Sequence, residues 1–189
     1  MKAKFTLTTS TNKPELLGLT KTPLLILGKL QAIGLGSHIQ SLDHSLGGAI
    51  SDQVQGLNFR GERGESFLLD LDQEGAPDNV LVVGLGSLDK FDQNAIKQVV
   101  ELAVDAAISK GLTKITFPMP PNRQTKDINL RGQANIIRQA VEKKLLEYKR
   151  RKGELEIEIL SAPQAKAQLA RGLACKRRNS DGSCCDDDE

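Results

Sequence analysis

Short, continuous apolar segments alternate along this chain with longer segments that have helical spacing. Leu24–Leu27 and Val80–Val83 are apolar without interruption, which is typical of strands buried on both faces. After the second segment, apolar residues recur at every third or fourth position, which predicts an amphipathic helix. These residues are Ile96, Val99, Val100, Ala103, Val104 and Ala107. Strands separated by helices of this length predict an α/β domain with a largely parallel sheet.

The remaining segments continue this alternation. Further strands are predicted at Ala3–Thr8, Phe67–Leu71, Lys114–Phe117 and Leu155–Ile159, and further helices at Leu42–Gln53, Asn129–Tyr148 and from Ala162. The amphipathic helix has Asp92 as its predicted N-cap and Lys110-Gly111 as its predicted end. In the last predicted strand, glutamates alternate with apolar residues, so we expect an edge strand with a charged outer face. Gly47-Gly48 weakens the helix predicted over Leu42–Gln53.

Composition narrows the class of protein. The 189 residues are enough for one domain with its own core, and no apolar run approaches the about 20 residues that a membrane-spanning helix needs. The formal charge of +2 predicts no strong field for nucleic acid or membrane, and aromatic residues are only 3%, against a base-stacking protein. The N-terminus has no secretory apolar region, and every cysteine follows position 174. We therefore expect a cytoplasmic protein.

The motif Gly84-Leu85-Gly86 follows a buried strand and precedes a helix. Backbone N–H groups at such a place can bind phosphate. The third glycine of a dinucleotide fingerprint is missing, because Asp89 stands there. The motif on its own favours a tight turn between strand and helix.

The metal-ligating residue types do not form a known pattern. His38 and His44 are six residues apart with no third ligand evident. Cys175, Cys184 and Cys185 include no CxxC pair and have no histidine nearby. We therefore predict no metal site from these residues.

The candidate phosphate-binding and catalytic residues also lack the partner residues that such sites require. Lys143–Lys152 is the densest basic segment and could contact phosphates, although cations at a helix C-terminus that complement the macrodipole are the favoured interpretation. The paired carboxylates and the serines lack a nucleophile, base or metal partner; they are Asp70 with Asp72, Glu62 with Glu65, and Ser51, Ser66 and Ser87. We predict no catalytic, cofactor-binding or metal-binding residue on this chain.

The order of several motifs carries a family resemblance. Leu42–Ile50, Phe59–Glu65, Val80–Gly86 and the long amphipathic helix together resemble the N-terminal domain of the leucyl (cytosol) aminopeptidase family. Gln139–Lys149 and Ala170–Ala174 resemble that family's link and helix toward its catalytic domain. The resemblance implies a macro-like, three-layer α/β domain with a mixed, largely parallel sheet flanked by helices. It also implies that this domain carries no catalytic residue, packs against a catalytic domain and contributes to a hexamer.

The resemblance extends to residue 174 and divides the chain into three parts. We expect a macro-like domain over 1–160, the start of a linker helix over 161–174, and a disordered tail over 175–189. In the family, two divalent metals such as Zn or Mn are held in the catalytic domain by a lysine and carboxylates, beside an Asn-Thr-Asp-Ala-Glu-Gly-Arg stretch. This chain lacks that stretch. The change in composition at Cys175 leads to the hypothesis of a truncated or frame-shifted gene.

These observations predict the non-catalytic N-terminal domain of a leucyl-aminopeptidase-like metallopeptidase. It should have an assembly or interaction role and no peptidase activity alone. Its expected partners are an aminopeptidase catalytic domain or further copies of itself, and we expect neither membrane nor nucleic-acid binding. The first alternative is a stand-alone macro-like module that binds nucleotide or ADP-ribose through Gly84–Gly86. A third interpretation is a DNA-binding accessory domain that uses Lys143–Lys152.

Overall fold

The computed structural model describes residues 1–9, 19–71, 76–118 and 128–175. These residues form one six-stranded sheet with the order β1-β6-β5-β2-β4-β3. The strands are β1 (Lys2–Thr9), β2 (Leu25–Leu30), β3 (Ser66–Asp70), β4 (Asn79–Gly86), β5 (Lys114–Pro118) and β6 (Glu154–Ser161). Neighbouring strands are parallel except for β3 and β4, which are antiparallel. The predicted mixed, largely parallel sheet is confirmed.

Helices cover both faces of this sheet. They are α1 (Ser37–Ser45), α2 (Ala49–Gly56), α3 (Gln93–Ser109), α4 (Leu130–Leu145) and α5 (Lys166–Ala174), and short 3-10 turns at Leu88–Lys90 and Pro163–Ala165 precede α3 and α5. The larger apolar cluster joins α3, α4 and α5 to one face, with Ile26, Ile115 and Ile157 at its centre. A smaller cluster joins α1 and α2 to the other face, over β2, β4 and β3. The predicted three-layer, macro-like architecture is therefore confirmed.

The long helices begin at polar caps. The Asp92 carboxylate accepts a hydrogen bond from the amide of Ala95 at 3.0 Å, as the sequence predicted for α3. Asn129 caps α4 in the same way, through the amide of Gly132 at 2.7 Å. Gly111, with a φ of +70°, follows the end of α3 in the left-handed conformation that favours glycine.

The single helix predicted over Leu42–Gln53 is wrong. The chain instead forms α1 and α2, which are separated at Gly47 and Gly48. These glycines have φ values of +65° and +91°, which lie outside the right-handed helical region. The apolar spacing of Leu42, Leu46 and Ile50 survives the break, because both short helices bury these side chains in the same cluster.

The predicted edge position of the last strand is also wrong. β6 lies inside the sheet, between β1 and β5. Glu156 and Glu158 on its polar face are paired with polar side chains of both neighbours. Thr8 and Thr116 donate to the two carboxylate oxygens of Glu158 at 2.6 and 2.8 Å, and the ammonium of Lys114 lies 3.0 Å from it. An alternating strand can therefore be internal when its neighbours also have polar residues on that face.

The last helix packs closely on the rest of the domain. A Cβ added at Gly172 would lie 2.2 Å from the carbonyl oxygen of Arg131, so α5 approaches α4 at a distance only glycine permits. Leu169 is fully buried beside it. The boundary near residue 160 stays a prediction, and the tail expected over 175–189 lies outside the described residues except for Cys175. No helix in the described ranges is long and apolar enough to cross a membrane.

Acid stability should depend on Glu158. Burial acts to raise the pKa of Glu158, but hydrogen bonds from Thr8, Lys114 and Thr116 outweigh it and lower the pKa below its ordinary value of 4.5. A carboxyl with a lowered folded-state pKa stabilises the fold above its ordinary pKa, and this contribution is lost as pH falls through the folded value. The free energy of unfolding should therefore fall more steeply below about pH 4.5 in the wild type than in Glu158→Gln.

Urea denaturation at a series of pH values measures this difference. At neutral pH, Glu158→Gln should lower the free energy of unfolding by about 2 kcal/mol, because charged hydrogen bonds are lost in a buried place. Glu142→Gln is the matched control, since Glu142 forms only an exposed ion pair with Arg138 on one helix. If the free energy of unfolding fell equally with pH in Glu158→Gln and in the wild type, the stabilising role of the Glu158 carboxylate would be contradicted.

Candidate functional site

The glycine motif lies within β4 and supports a neighbouring segment. We call Phe59–Glu65 the strap, because it crosses the C-terminal end of this strand. The amides of Gly84 and Gly86 donate to the carbonyls of Glu65 and Gly61 at 2.8 and 2.9 Å. A Cβ at Gly84 would lie 1.9 Å from the carbonyl oxygen of Glu62. Gly84 thus allows the strap to approach, and the amides of both glycines are already paired within the chain.

The position of the motif also differs from the predicted turn. β4 continues through Gly86, and α3 begins only at Gln93 after the 3-10 turn. The motif therefore lies within a strand, and neither a phosphate loop nor a tight turn into the helix describes it. The close approach of the strap accounts for the lack of a side chain at Gly84, and a φ of +76° favours glycine at Gly86.

A shallow depression lies between α1 and α2. Its volume is about 690 Å³, and it is lined by Leu35, Gln40, Asp43, His44, Gly47, Gly48 and Ser51. The depression lies at the N-terminus of α2, where helix amides and the macrodipole attract negative charge. A negatively charged group at this position would be stabilised by the helix.

Asp43 already occupies this helix terminus. Its carboxylate accepts hydrogen bonds from the amides of Ile50 and Ser51 at 2.8 and 3.0 Å, and the Ser51 hydroxyl donates to it as well. The amide of Gly48 donates to the Asp43 carbonyl at 2.9 Å. A side chain from α1 thus supplies the negative charge that α2 attracts. Sequence reasoning missed this role, because Asp43 lies within α1, five residues before the Gly48 N-cap of α2, and capping residues are recognised at the N-cap and N3 positions.

The histidines do not form a metal centre. His38 lies in the first turn of α1 and His44 in the last. Within the described parts of the chain, no group of three His, Cys, Asp or Glu side chains could hold a metal ion. The two divalent metals that the resemblance implies therefore have no fitting set of ligands among these residues. Cys184 and Cys185 lie outside the described residues.

Part of the basic segment Lys143–Lys152 ties α4 to α3. The Lys144 ammonium lies 2.7 Å from Glu147 and 3.1 Å from Asp105, and these contacts raise the pKa of Lys144 although burial opposes them. The Tyr148 hydroxyl donates to the Asp105 carboxylate, and this hydrogen bond raises the pKa of Tyr148. Arg151 donates to the carbonyl of Ile108 at 2.6 Å. Lys144 and Arg151 thus serve the fold, whereas Lys143, Lys149, Arg150 and Lys152 are exposed.

The remaining candidates are distributed over separate elements. Asp70 pairs with Lys110, and the Glu65 carboxylate accepts the amides of Arg60 and Glu62 within the strap. Ser87 lies after β4, where its hydrogen bond lowers the pKa of Asp89. Ser66 is exposed at the start of β3, and Asp72 lies outside the described residues. The structure does not bring these groups together.

Comparison with solved structures defines the class of fold. The macrodomain of Oceanobacillus iheyensis with MES bound is similar with a TM-score of 0.64 at 13% identity, covering 90% of each chain. Its structure with ADP gives 0.62 at 15% identity, covering 83% of this chain and 86% of that one. A mutant of tomato leucine aminopeptidase gives 0.66 at 18% identity, covering 91% of this chain and 36% of that one. The domain is macro-like, as its strand order and layers indicate.

Sequence comparison then gives the family. The model of the cytosol aminopeptidase family, N-terminal domain, matches residues 25–153, and the chain belongs to this family. A protein of Burkholderia ambifaria named "probable cytosol aminopeptidase" is 30% identical over 122 residues, which cover 62% of this chain and 24% of that protein. The chain thus matches about a quarter of the length of this curated relative. The predicted family membership is confirmed.

Removal of the Asp43 cap should destabilise the domain. Asp43→Ala leaves the amides of Ile50 and Ser51 without their carboxylate acceptor, so the free energy of unfolding should fall by about 1–2 kcal/mol. Asp52→Ala is the matched control, because Asp52 is exposed in the first turn of the same helix. Urea denaturation of both variants measures the difference. A control variant that loses as much stability as Asp43→Ala would contradict the capping role.

Proposed function

We propose that this chain acts as the non-catalytic N-terminal domain of a leucyl-aminopeptidase-like metallopeptidase in the cytoplasm. Its role is assembly, and it has no peptidase activity by itself. The match to the family's N-terminal domain over residues 25–153 is the observation that carries this proposal. The partner is an aminopeptidase catalytic domain or further copies of the chain.

The chemistry of the described residues supports a non-catalytic role for this domain. Two divalent metals can lower the pKa of a bound water and orient a substrate, but they need a fixed set of carboxylate, lysine or histidine ligands. The described residues contain no group of three His, Cys, Asp or Glu positioned for a metal. Asp43, Glu65 and Asp70 have partners that stabilise the fold. Peptidase chemistry would therefore depend on another domain.

Exposed apolar side chains supply contact area for assembly. Five large ones occur among the described residues, on several different elements: Leu19, Ile33, Leu57, Leu88 and Leu146. Single exposed apolar residues are normal on soluble proteins, so only those at a real interface should affect association. Replacing them one at a time can therefore locate the interface.

Two measurements test this proposal. The purified chain should release no leucine from leucine amide in the presence of Mn²⁺ or Zn²⁺, whereas tomato leucine aminopeptidase serves as the active control. In sedimentation velocity, the chain should associate with itself or with the part of the Burkholderia ambifaria protein beyond the matched region. Metal-dependent turnover that scales with chain concentration would contradict the first part. A chain that stays monomeric and binds no catalytic part would contradict the second.

A stand-alone module that binds nucleotide or ADP-ribose is the second candidate. The macrodomain likeness favours it, since that likeness covers most of both chains and one of the similar structures contains ADP. Two features count against it. The amides of Gly84 and Gly86 serve the strap, and the N-terminus of α2 is capped by Asp43.

Calorimetric titration separates the two candidates. We expect no saturable heat when ADP-ribose is added to the chain at high micromolar concentration, because these helix and strand amides already have partners. The Oceanobacillus iheyensis macrodomain, titrated with ADP, is the control for the measurement. One-to-one binding by this chain would favour the binding module over the assembly domain.

A further inference from the structure

Lys29 carries a charge into the interior of the domain and meets only backbone oxygens there. It is the penultimate residue of β2, and it is 8% exposed. Its ammonium donates to the carbonyls of Leu30, Ile33 and Arg60 at 3.2, 3.3 and 3.2 Å. Within the described residues, no carboxylate forms an ion pair with it. A buried ammonium is costly unless hydrogen bonds satisfy it, so these three carbonyls are what make its burial tolerable.

Two of the three carbonyls belong to segments that are remote from each other in sequence. Leu30 is the last residue of β2, whereas Ile33 lies in the connection from β2 to α1, Gln31–Gly36, which we call the β2 loop. Arg60 belongs to the strap, about thirty residues later. Lys29 therefore joins the β2 loop to the strap through one side chain.

The backbone brings the same two segments together at the end of β4. The amide of Gln31 donates to the carbonyl of Gly86 at 2.9 Å, and the amide of Gly86 donates to the carbonyl of Gly61 at 2.9 Å. A Cβ at Gly61 would lie 2.9 Å from the carbonyl oxygen of Lys29, so the strap is seated directly on β2. The β2 loop and the strap thus share one support.

The β2 loop has few constraints of its own from Ala32 to Gly34, whereas its end is held by the packing of Leu35 and by two hydrogen bonds from Gln40. Ala32 has a φ of +58°, a conformation that costs a residue with a Cβ about 1–2 kcal/mol. Gly34 and Gly36 would meet nothing within 4 Å if they carried a Cβ, and Ile33 is 46% exposed. A strained turn of this kind persists only when its surroundings hold it, and the bond from Lys29 to the Ile33 carbonyl is one such contact.

We propose that Lys29 is a clasp that makes the β2 loop and the strap open and close as one unit. When either segment moves away, the ammonium loses part of its acceptors in a buried place, which favours release of the other segment as well. Opening would expose the C-terminal ends of β2 and β4, the edge at which parallel α/β sheets receive ligands or partners. This clasp does not depend on the proposed assembly function.

Amide hydrogen exchange in the native wild-type chain tests the clasp. Reporter amides are that of Gln31 in the β2 loop, which donates to the carbonyl of Gly86, and those of Gly84 and Gly86 in β4, which donate to carbonyls of the strap. If the segments open together, all three should give the same opening free energy and the same dependence on urea, below the values of buried α3 amides. Different opening free energies for the two segments would overturn the proposal.

Substitution of the lysine gives a second, independent test. Lys29→Met keeps most of the side-chain volume and removes the ammonium, so exchange at all three reporters should accelerate by roughly tenfold or more. The amide of Val100 in α3 should change only as much as the global stability does. Lys110→Met is the matched control, because Lys110 forms an exposed pair with Asp70 and should leave the reporters unchanged.

The exchange measurements test the clasp even if a variant is unstable. Acceleration in one segment alone, or equal acceleration in Lys29→Met and Lys110→Met, would overturn the clasp. If Lys29→Met does not fold, the wild-type comparison of the three reporters decides the question without it.

Discussion

The unequal character of the two sheet faces is the constraint on which this fold depends. One face is apolar across its strands and is covered by α3, α4 and α5. The other is apolar over β2, β4 and β3, where α1 and α2 pack, and polar over β1, β6 and β5. Threonines, Glu158 and Lys114 satisfy one another on that polar half. The placement of helices follows from this division, because a helix with an apolar stripe packs only on an apolar surface.

Backbone geometry accounts for the glycines of β4 and of the break between α1 and α2. Gly84 allows the close approach of the strap, whereas Gly86, Gly47 and Gly48 have the positive φ values that favour glycine. In each place the amides end on groups of the same chain. Similar strand order shows the fold, and the groups that a fold binds depend on the side chains and loops at its site.

Local patterns predicted the elements well, and long-range contacts account for what they missed. The spacing of Ile96 to Ala107 and the cap at Asp92 predicted α3, since both signals lie within the helix itself. The alternation in β6 correctly indicated one polar face, but a neighbour in the sheet is not visible from the strand's own sequence. The roles of Asp43 and Lys29 depend on residues that folding brings near, and a lone lysine after an apolar run gives no signal of three carbonyl partners.

The contact of α5 with α4 has a mechanical consequence. Gly172 brings the two helix backbones together, and the Arg138 guanidinium donates to the carbonyl of Cys175 at 2.6 Å. The C-terminal end of α5 is therefore fixed against α4 by a backbone contact and by a side-chain hydrogen bond. The orientation of a protein fused at residue 175 would be set by the packing of α5 on α4.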